Sequence, residues 1–301
     1  MIAQPKRGKI HLLVAGLFAL LVFMPMAALA GSAEIDAFAY RQRVGEAALK
    51  REINELTAGG KAYRLGPSER DRLWRLQLAV NAADPEDYGT QVRKVLLALD
   101  AARAEVLALK AGHYPASDVD SRWIKAARMA NDPDAKALFE RVYLDQHWPS
   151  VEVSPSQQDA LDTLYIGEQL KIITANTAWL KTVLAKIGWF DIRLYGEDAS
   201  QAAWLLVQHA DNDPAWQEEV LRRLPSRVQR GDMQGKFYAF LVDRVEHNAG
   251  RPQVYGTQGA CGAGGWEPFQ TVNPETLDLR RSSLGLPTES AYRALFKCHQ
   301  K

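Results

Sequence analysis

The sequence predicts a mainly α-helical, multi-helix globular protein with one short β-hairpin or irregular extended pair near residues 253–272. Three observations lead there. Between Ala33 and about Ile187, apolar residues recur with helical spacing, as in Leu73, Leu76, Leu78 and Val80 and again in Val95, Leu96 and Leu99. Asp84-Pro85, Asp132-Pro133 and Ser154-Pro155 each set a capping residue before a proline that suits a first helical turn. Only after Gly250 does this grammar give way to a run of Gln, Tyr, Thr and Gly.

The elements follow in order. Residues 1–30 read as an export signal: Lys6, Arg7 and Lys9 precede an apolar run from Leu12 to Met24, Pro25 breaks it, and Ala28-Leu29-Ala30 gives a small-x-small cleavage pattern. The competing reading is a retained anchor, since Leu12 to Leu29 approaches the roughly 20 residues a bilayer span needs. Residues 31–150 then form a helical N-terminal region, a scaffold or cap, in which Tyr114-Pro115 and Trp148-Pro149 mark helix exits. Residues 151–301 form a second helical domain. In it, helices are expected over about 155–175 and 178–187, the latter closed by Gly188-Trp189. Phe190 to Gly196 reads as a short extended connection and Ser200 to Ala210 as an apolar helix. Asp213 caps the next helix, with Pro214 in its first turn, and that helix stops at Leu224-Pro225. Another runs from about Met233 to Asn248, ending near Gly250. Gln253 to Gln258 and Trp266 to Val272 supply the two extended pieces. Two terminal helices, about 274–281 and 289–297, complete the chain.

Charge and cysteines narrow the function classes. The chain has 37 Lys and Arg against 36 Asp and Glu. Without the three basic residues of the leader, 34 remain against 36, a formal net charge of −2. That is not the basic excess of a general nucleic-acid binder. No segment after the leader is apolar enough to span a membrane, so a cleaved product has no stable span. Two cysteines, Cys261 and Cys298, read in an exported chain as one disulfide tying a glycine-rich loop to the C-terminal tail. The localisation implied is periplasmic or secreted. No cofactor is indicated, and no metal site, because neither C-x-x-C nor H-x-x-x-H spacing accompanies the cysteines. G-x-S-x-G, P-loop, dinucleotide and zincin motifs are likewise missing.

Polar residues that interrupt apolar helical runs are costly unless paired or used, and they concentrate between residues 200 and 286. His209, late in an apolar helix and beside Asp211, is a candidate acid or base near neutral pH; the structural alternative is a histidine bonding the helix end. Asp243 and Arg244 interrupt Phe240-Leu241-Val242 and Val245. They either form an internal network or serve a site, Arg244 as a planar clamp for a carboxylate or phosphate. If residues 253–257 are extended, Gln253, Tyr255 and Thr257 share one face, and with Gln258 they suit a polar ligand; otherwise they close a polar hairpin. Arg280 and Arg281 answer a negative helix end, pair with Asp243 or bind an anion. Gln208 and Asp211 complete the candidate set.

The order Gly188-Trp189, Gln208-His209-Ala210-Asp211, Asp243-Arg244-Val245, Gln253-x-Tyr255-Gly256-Thr257-Gln258 and Arg280-Arg281 before Gly285-Leu286 resembles a bacterial family of unknown function. That family's signature is QHAD…DRV…QxYGTQ…RR…GL. The resemblance runs from roughly Asp145 to Tyr292, with Asp145-Gln146 as a sixth, weaker block. It implies a mostly helical domain and no established activity. Two functions fit the residues. One is an exported binding or interaction module with a polar pocket built by residues 208–281, taking a small polar ligand or an envelope protein. The other is a cell-envelope hydrolase or lyase that uses His209 as general acid/base with Asp243 and Arg244.

Overall fold

The computed structural model describes residues 36–58, 64–115, 121–147, 151–262 and 265–298. The leader and the Trp148-Pro149 exit lie outside the described residues. Among the described residues there are thirteen α-helices and one two-stranded antiparallel hairpin, so the protein is mainly α. None of these helices is long and apolar enough to cross a membrane.

Contacts divide the chain into two compact units. Among the described residues the first takes in 36–108 and 151–169. It holds α1 (Ala37–Val44), α2 (Glu46–Thr57), α3 (Pro67–Asn81), nearly all of α4 (Pro85–Lys110) and the first half of α7 (Pro155–Ile187). Asp36 caps α1 by accepting the Ala39 N–H at 2.9 Å. Leu49 and Leu76 pack with Ala37 and Ala79, while Trp74, Leu78, Val95 and Leu161 form a neighbouring cluster. A buried hydrogen bond, Thr163 Oγ1 to Gln77 Oε1 at 3.0 Å, links α7 to α3.

The second unit comprises residues 109–148 and 170–301. It contains α5 (Arg122–Met129), α6 (Pro133–Gln146), the second half of α7, α8 (Ile192–Gln208), α9 (Pro214–Arg222), α10 (Pro225–Gln229) and α11 (Gly235–Asn248). The hairpin β1 (Gly259–Gly262) and β2 (Gly265–Pro268) follows, then α12 (Leu277–Ser283) and α13 (Glu289–Arg293). One apolar core runs through it, with Leu138, Val142, Leu180, Trp189, Phe190, Leu206 and Leu241 at or near zero exposure. Helix starts follow the capping chemistry of the sequence. Asp132 accepts the Ala135 N–H at 2.8 Å ahead of Pro133, and Asp213 accepts the Trp216 N–H at 3.2 Å ahead of Pro214.

Three local expectations are corrected. Helix α7 is unbroken where two helices were expected, because Asn176 and Thr177 are buried within it rather than marking a turn. The stretch 190–196 is not extended. Asp191 O accepts the N–H groups of Leu194 and Tyr195 at 2.9 Å each, starting α8 at Ile192, and Gly196 carries the kink at φ 82°. Finally, the hairpin lies later than residues 253–258. Its register pairs Gly259 with Pro268 and Cys261 with Trp266, and residue 253 meets Thr271 only as an isolated bridge. Gly259 is required there, since a Cβ would stand 2.2 Å from the Glu267 carbonyl oxygen.

Candidate functional site

Segment 253–258 is neither helix nor strand, yet Gln253, Thr257 and Gln258 are at most 8 % exposed. Buried main-chain groups without a ladder must find side-chain partners. Asp243, fully buried on α11, supplies them on the N–H side. Its Oδ1 accepts Val254 N–H and Tyr255 N–H at 2.8 Å each, and its Oδ2 accepts Thr257 N–H at 2.7 Å. Two arginines of α12 serve the carbonyls. Arg280 donates to Val254 O at 2.9 Å and to Asn273 O, and the fully buried Arg281 donates to Tyr255 O and Pro287 O at 2.6 Å each and to Gly256 O at 3.4 Å. Gln253 stands in for a strand neighbour of Gln258, accepting its N–H at 2.7 Å and donating to its carbonyl at 2.9 Å.

This arrangement clamps one loop between buried charges of opposite sign. Burial pushes the Asp243 carboxyl above the usual carboxylate range, with the three main-chain N–H bonds acting against it. Burial also lowers the Arg281 guanidinium from its ordinary value. Arg281 lies over the Tyr292 ring at 4.9 Å, and Tyr292 meets Trp266 and Phe296 edge-on. The Cys261–Cys298 disulfide closes this corner by joining β1 to the C-terminal segment.

The expected shared face of Gln253, Tyr255 and Thr257 does not form, because Gly256 takes a left-handed backbone at φ 62° in the middle of it. Thr257 Oγ1 accepts from Gln258 Nε2 at 3.3 Å. The Tyr255 ring is half-buried, and its hydroxyl has no hydrogen-bond partner among the described residues. Burial raises that hydroxyl's pKa.

His209 lies elsewhere and has a different partner. Its Nδ1 is hydrogen-bonded to Oδ2 of Asp145, which α6 carries with its side chain 1 % exposed; the imidazole is 11 % exposed. Asp243 is committed to the loop, so the His209–Asp243 pairing drawn from the sequence is replaced by His209–Asp145. The only sequence signal for Asp145 was the weak Asp145-Gln146 block. Around the end of α8, Asp211 receives the planar fork of Arg244, Nε on Oδ1 at 2.9 Å with the second bond to Oδ2, and Asn248 Nδ2 on Oδ1 at 2.9 Å. The side chains of that ion pair are 39 % and 28 % exposed. Buried Gln217, which no sequence signal marked, donates to the carbonyl of Val207 at 2.9 Å and to Asp211 Oδ1 at 3.3 Å.

Adjacent residues of α11 therefore do separate work: Asp243 holds the 253–258 loop and Arg244 holds the end of α8. The carboxylates of the two polar groups also differ in saturation. Both oxygens of Asp243 are bonded, whereas Asp145 keeps Oδ1 buried with no hydrogen-bond partner among the described residues; Gln208 Oε1 and Gln217 Oε1 near it, and Arg281 Nη2 and Trp266 Nε1 in the clamp, are likewise buried and unpartnered.

A separate cleft of about 510 Å³ lies between the end of α7 and α9, walled by Trp189 and Trp216 and by the ion pairs Lys181–Asp213 and Arg223–Glu219. None of the candidate side chains lines it. Its cations are already paired, so it is the weaker place to look for chemistry. Among the described residues no group of three or more His, Cys, Asp or Glu is placed to hold a metal ion.

Residues 158–299 match a family of unknown function (DUF6624). The matched residues include His209, Asp243, Arg244, Arg280 and Arg281; Asp145 lies upstream of them. No curated protein and no solved structure matches the chain.

Proposed function

We propose that this is an exported hydrolase or lyase in which His209 is the general acid/base and Asp145 its orienting carboxylate. The observation that carries the reading is the hydrogen bond from a partly exposed imidazole to an almost fully buried carboxylate. An ionised carboxylate only accepts, so the bonded Nδ1 carries a proton, and in the neutral ring Nε2 keeps its lone pair. Nε2 has no hydrogen-bond partner among the described residues. It takes a proton from water or a hydroxyl, and the positive charge that develops on the ring is met by Asp145 across the Nδ1 bond. Asp211, fixed by Arg244, holds the α8 terminus that presents His209. Export is supported by the leader-like residues 1–30 and by the disulfide.

The test is carbethoxylation of the native protein with peptide mapping, using exposed His113 as internal reference. His209 is expected to react at least as fast as His113 despite its lower exposure. Asp145→Asn turns the tautomer so that Nε2 carries the proton, and it should slow the reaction about tenfold or more. A His209 that stays unmodified while His113 reacts, or that reacts equally in both proteins, contradicts the assignment.

A further inference from the structure

We infer that Arg141 is the anion-binding residue of the same site, so that the substrate carries a carboxylate or phosphate group. The inference rests on the acid/base reading of Asp145 and His209 for its catalytic meaning, though not for the binding itself. Arg141 lies four residues before Asp145 on α6, so the two side chains rise from one face of the helix, with Cβ atoms about 5–6 Å apart. Asp145 is committed to His209. Arg141 is half-buried, and its guanidinium lies 4.6 Å from the centre of the Trp179 ring.

The partners of this guanidinium are unusual for a desolvated cation. Arg141 Nη1 donates to Asn176 Oδ1 at 3.2 Å, and the buried Asn176 in turn donates from Nδ2 to the Arg141 carbonyl at 3.4 Å. Among the described residues no carboxylate lies within ion-pair distance of Arg141, in contrast to Arg227, which has Asp191, and Arg244, which has Asp211. Burial lowers its pKa from the ordinary value, yet an arginine stays charged throughout the physiological range. Only the neighbouring Glu140 opposes the lowering, from beyond ion-pair distance, and desolvating a charge without a close counter-charge is costly. Asn176 and Trp179 hold the planar fork in place, and most of its N–H donors are left uncommitted. A stacked, partly desolvated fork one helical turn from Asp145 suits bidentate binding of an oxyanion.

The test titrates the full-length exported protein with inorganic phosphate and, separately, with acetate, read by Trp179 fluorescence against a Trp179→Phe control and by calorimetry. Saturable binding of one of the two ions is expected. Arg141→Met should weaken it at least about tenfold, and Arg141→Lys, which keeps charge without the fork, by less. The stronger ion identifies the group. His209→Gln should bind that ion normally, so loss of the acid/base reading leaves the anion site testable on its own. Protection of His209 from carbethoxylation by the bound ion would place the two in one site, and its absence would separate them. Equal binding by wild type and Arg141→Met, or no binding of either ion at about 100 mM, overturns the inference; melting curves of both arginine variants confirm that they are folded.

Discussion

The clamp around residues 253–258 and the cluster around His209 are built from the same residue types and connected through the same helix, yet they differ in how completely their carboxylates are used. In the clamp, one carboxylate and two guanidiniums divide the N–H and carbonyl groups of an irregular buried loop between them. In the His209 cluster one oxygen of the carboxylate is buried without a partner, as are two amide oxygens, and Arg141 has no carboxylate within ion-pair distance among the described residues; the clamp's own unpartnered atoms are the nitrogens Arg281 Nη2 and Trp266 Nε1. Buried polar groups that fold a chain are normally satisfied within it. The difference teaches that a signature rich in polar residues is not one site: part of it specifies backbone, and chemistry belongs where the carboxylate is not consumed by main-chain groups.

Among changes to the clamp's cations, the cross-link and the Arg244 ion pair, the largest effect is expected from Arg281→Met. It leaves the carbonyls of Tyr255, Gly256 and Pro287 without their donor, a loss of about 3 kcal/mol or more and on the order of 10 °C in melting temperature. Arg281→Lys should fall between. An unchanged melting curve for Arg281→Met would mean that the clamp does not hold the loop. Next in size is the disulfide. Reduction, or Cys261→Ser with Cys298→Ser, removes a cross-link between residues 37 apart. It should cost about 2–4 kcal/mol and raise hydrogen exchange in the hairpin and C-terminal segment ahead of α8. Exchange that rises first around His209 would reverse the assignment of the bridge to the clamp. The smallest effect belongs to Arg244→Ala. It breaks a partly exposed ion pair and should lower stability by only about 0.5–1 kcal/mol. A loss as large as that of Arg281→Met would show that the end of α8 depends on this pair far more than its exposure suggests.

Much of the fold was legible because its signals are local. Asp132 and Asp213 act as caps before their prolines, and Gly250 follows the end of α11 with φ 71°. The disulfide followed from two cysteines in a chain with an export-like leader. Local signals failed where a partner far along the chain overrides them. The break expected between residues 175 and 178 does not occur, and Asn176 is buried against α6 through Arg141. The alternation of Gln253, Tyr255 and Thr257 suggested a strand face, but Asp243 and Arg281 take the backbone groups that a strand would have offered to a neighbour. Asp145 was the hardest residue to read. Helical periodicity says which face a side chain occupies, and nothing in it connects residue 145 with residue 209 across 64 positions.

Asp243→Ala and Asp145→Ala delete the same atoms from positions 0 % and 2 % exposed, which makes calorimetric melting of the two variants side by side the most direct test of the division between clamp and site. Asp243→Ala strands three main-chain N–H groups, each worth about 1–3 kcal/mol, and should lower the melting temperature by on the order of 10 °C. Asp145→Ala frees one partly exposed imidazole N–H and should cost a few degrees at most, roughly 1 kcal/mol. Equal losses in the two proteins would contradict the account, placing Asp145 and His209 in the structural framework alongside Asp243.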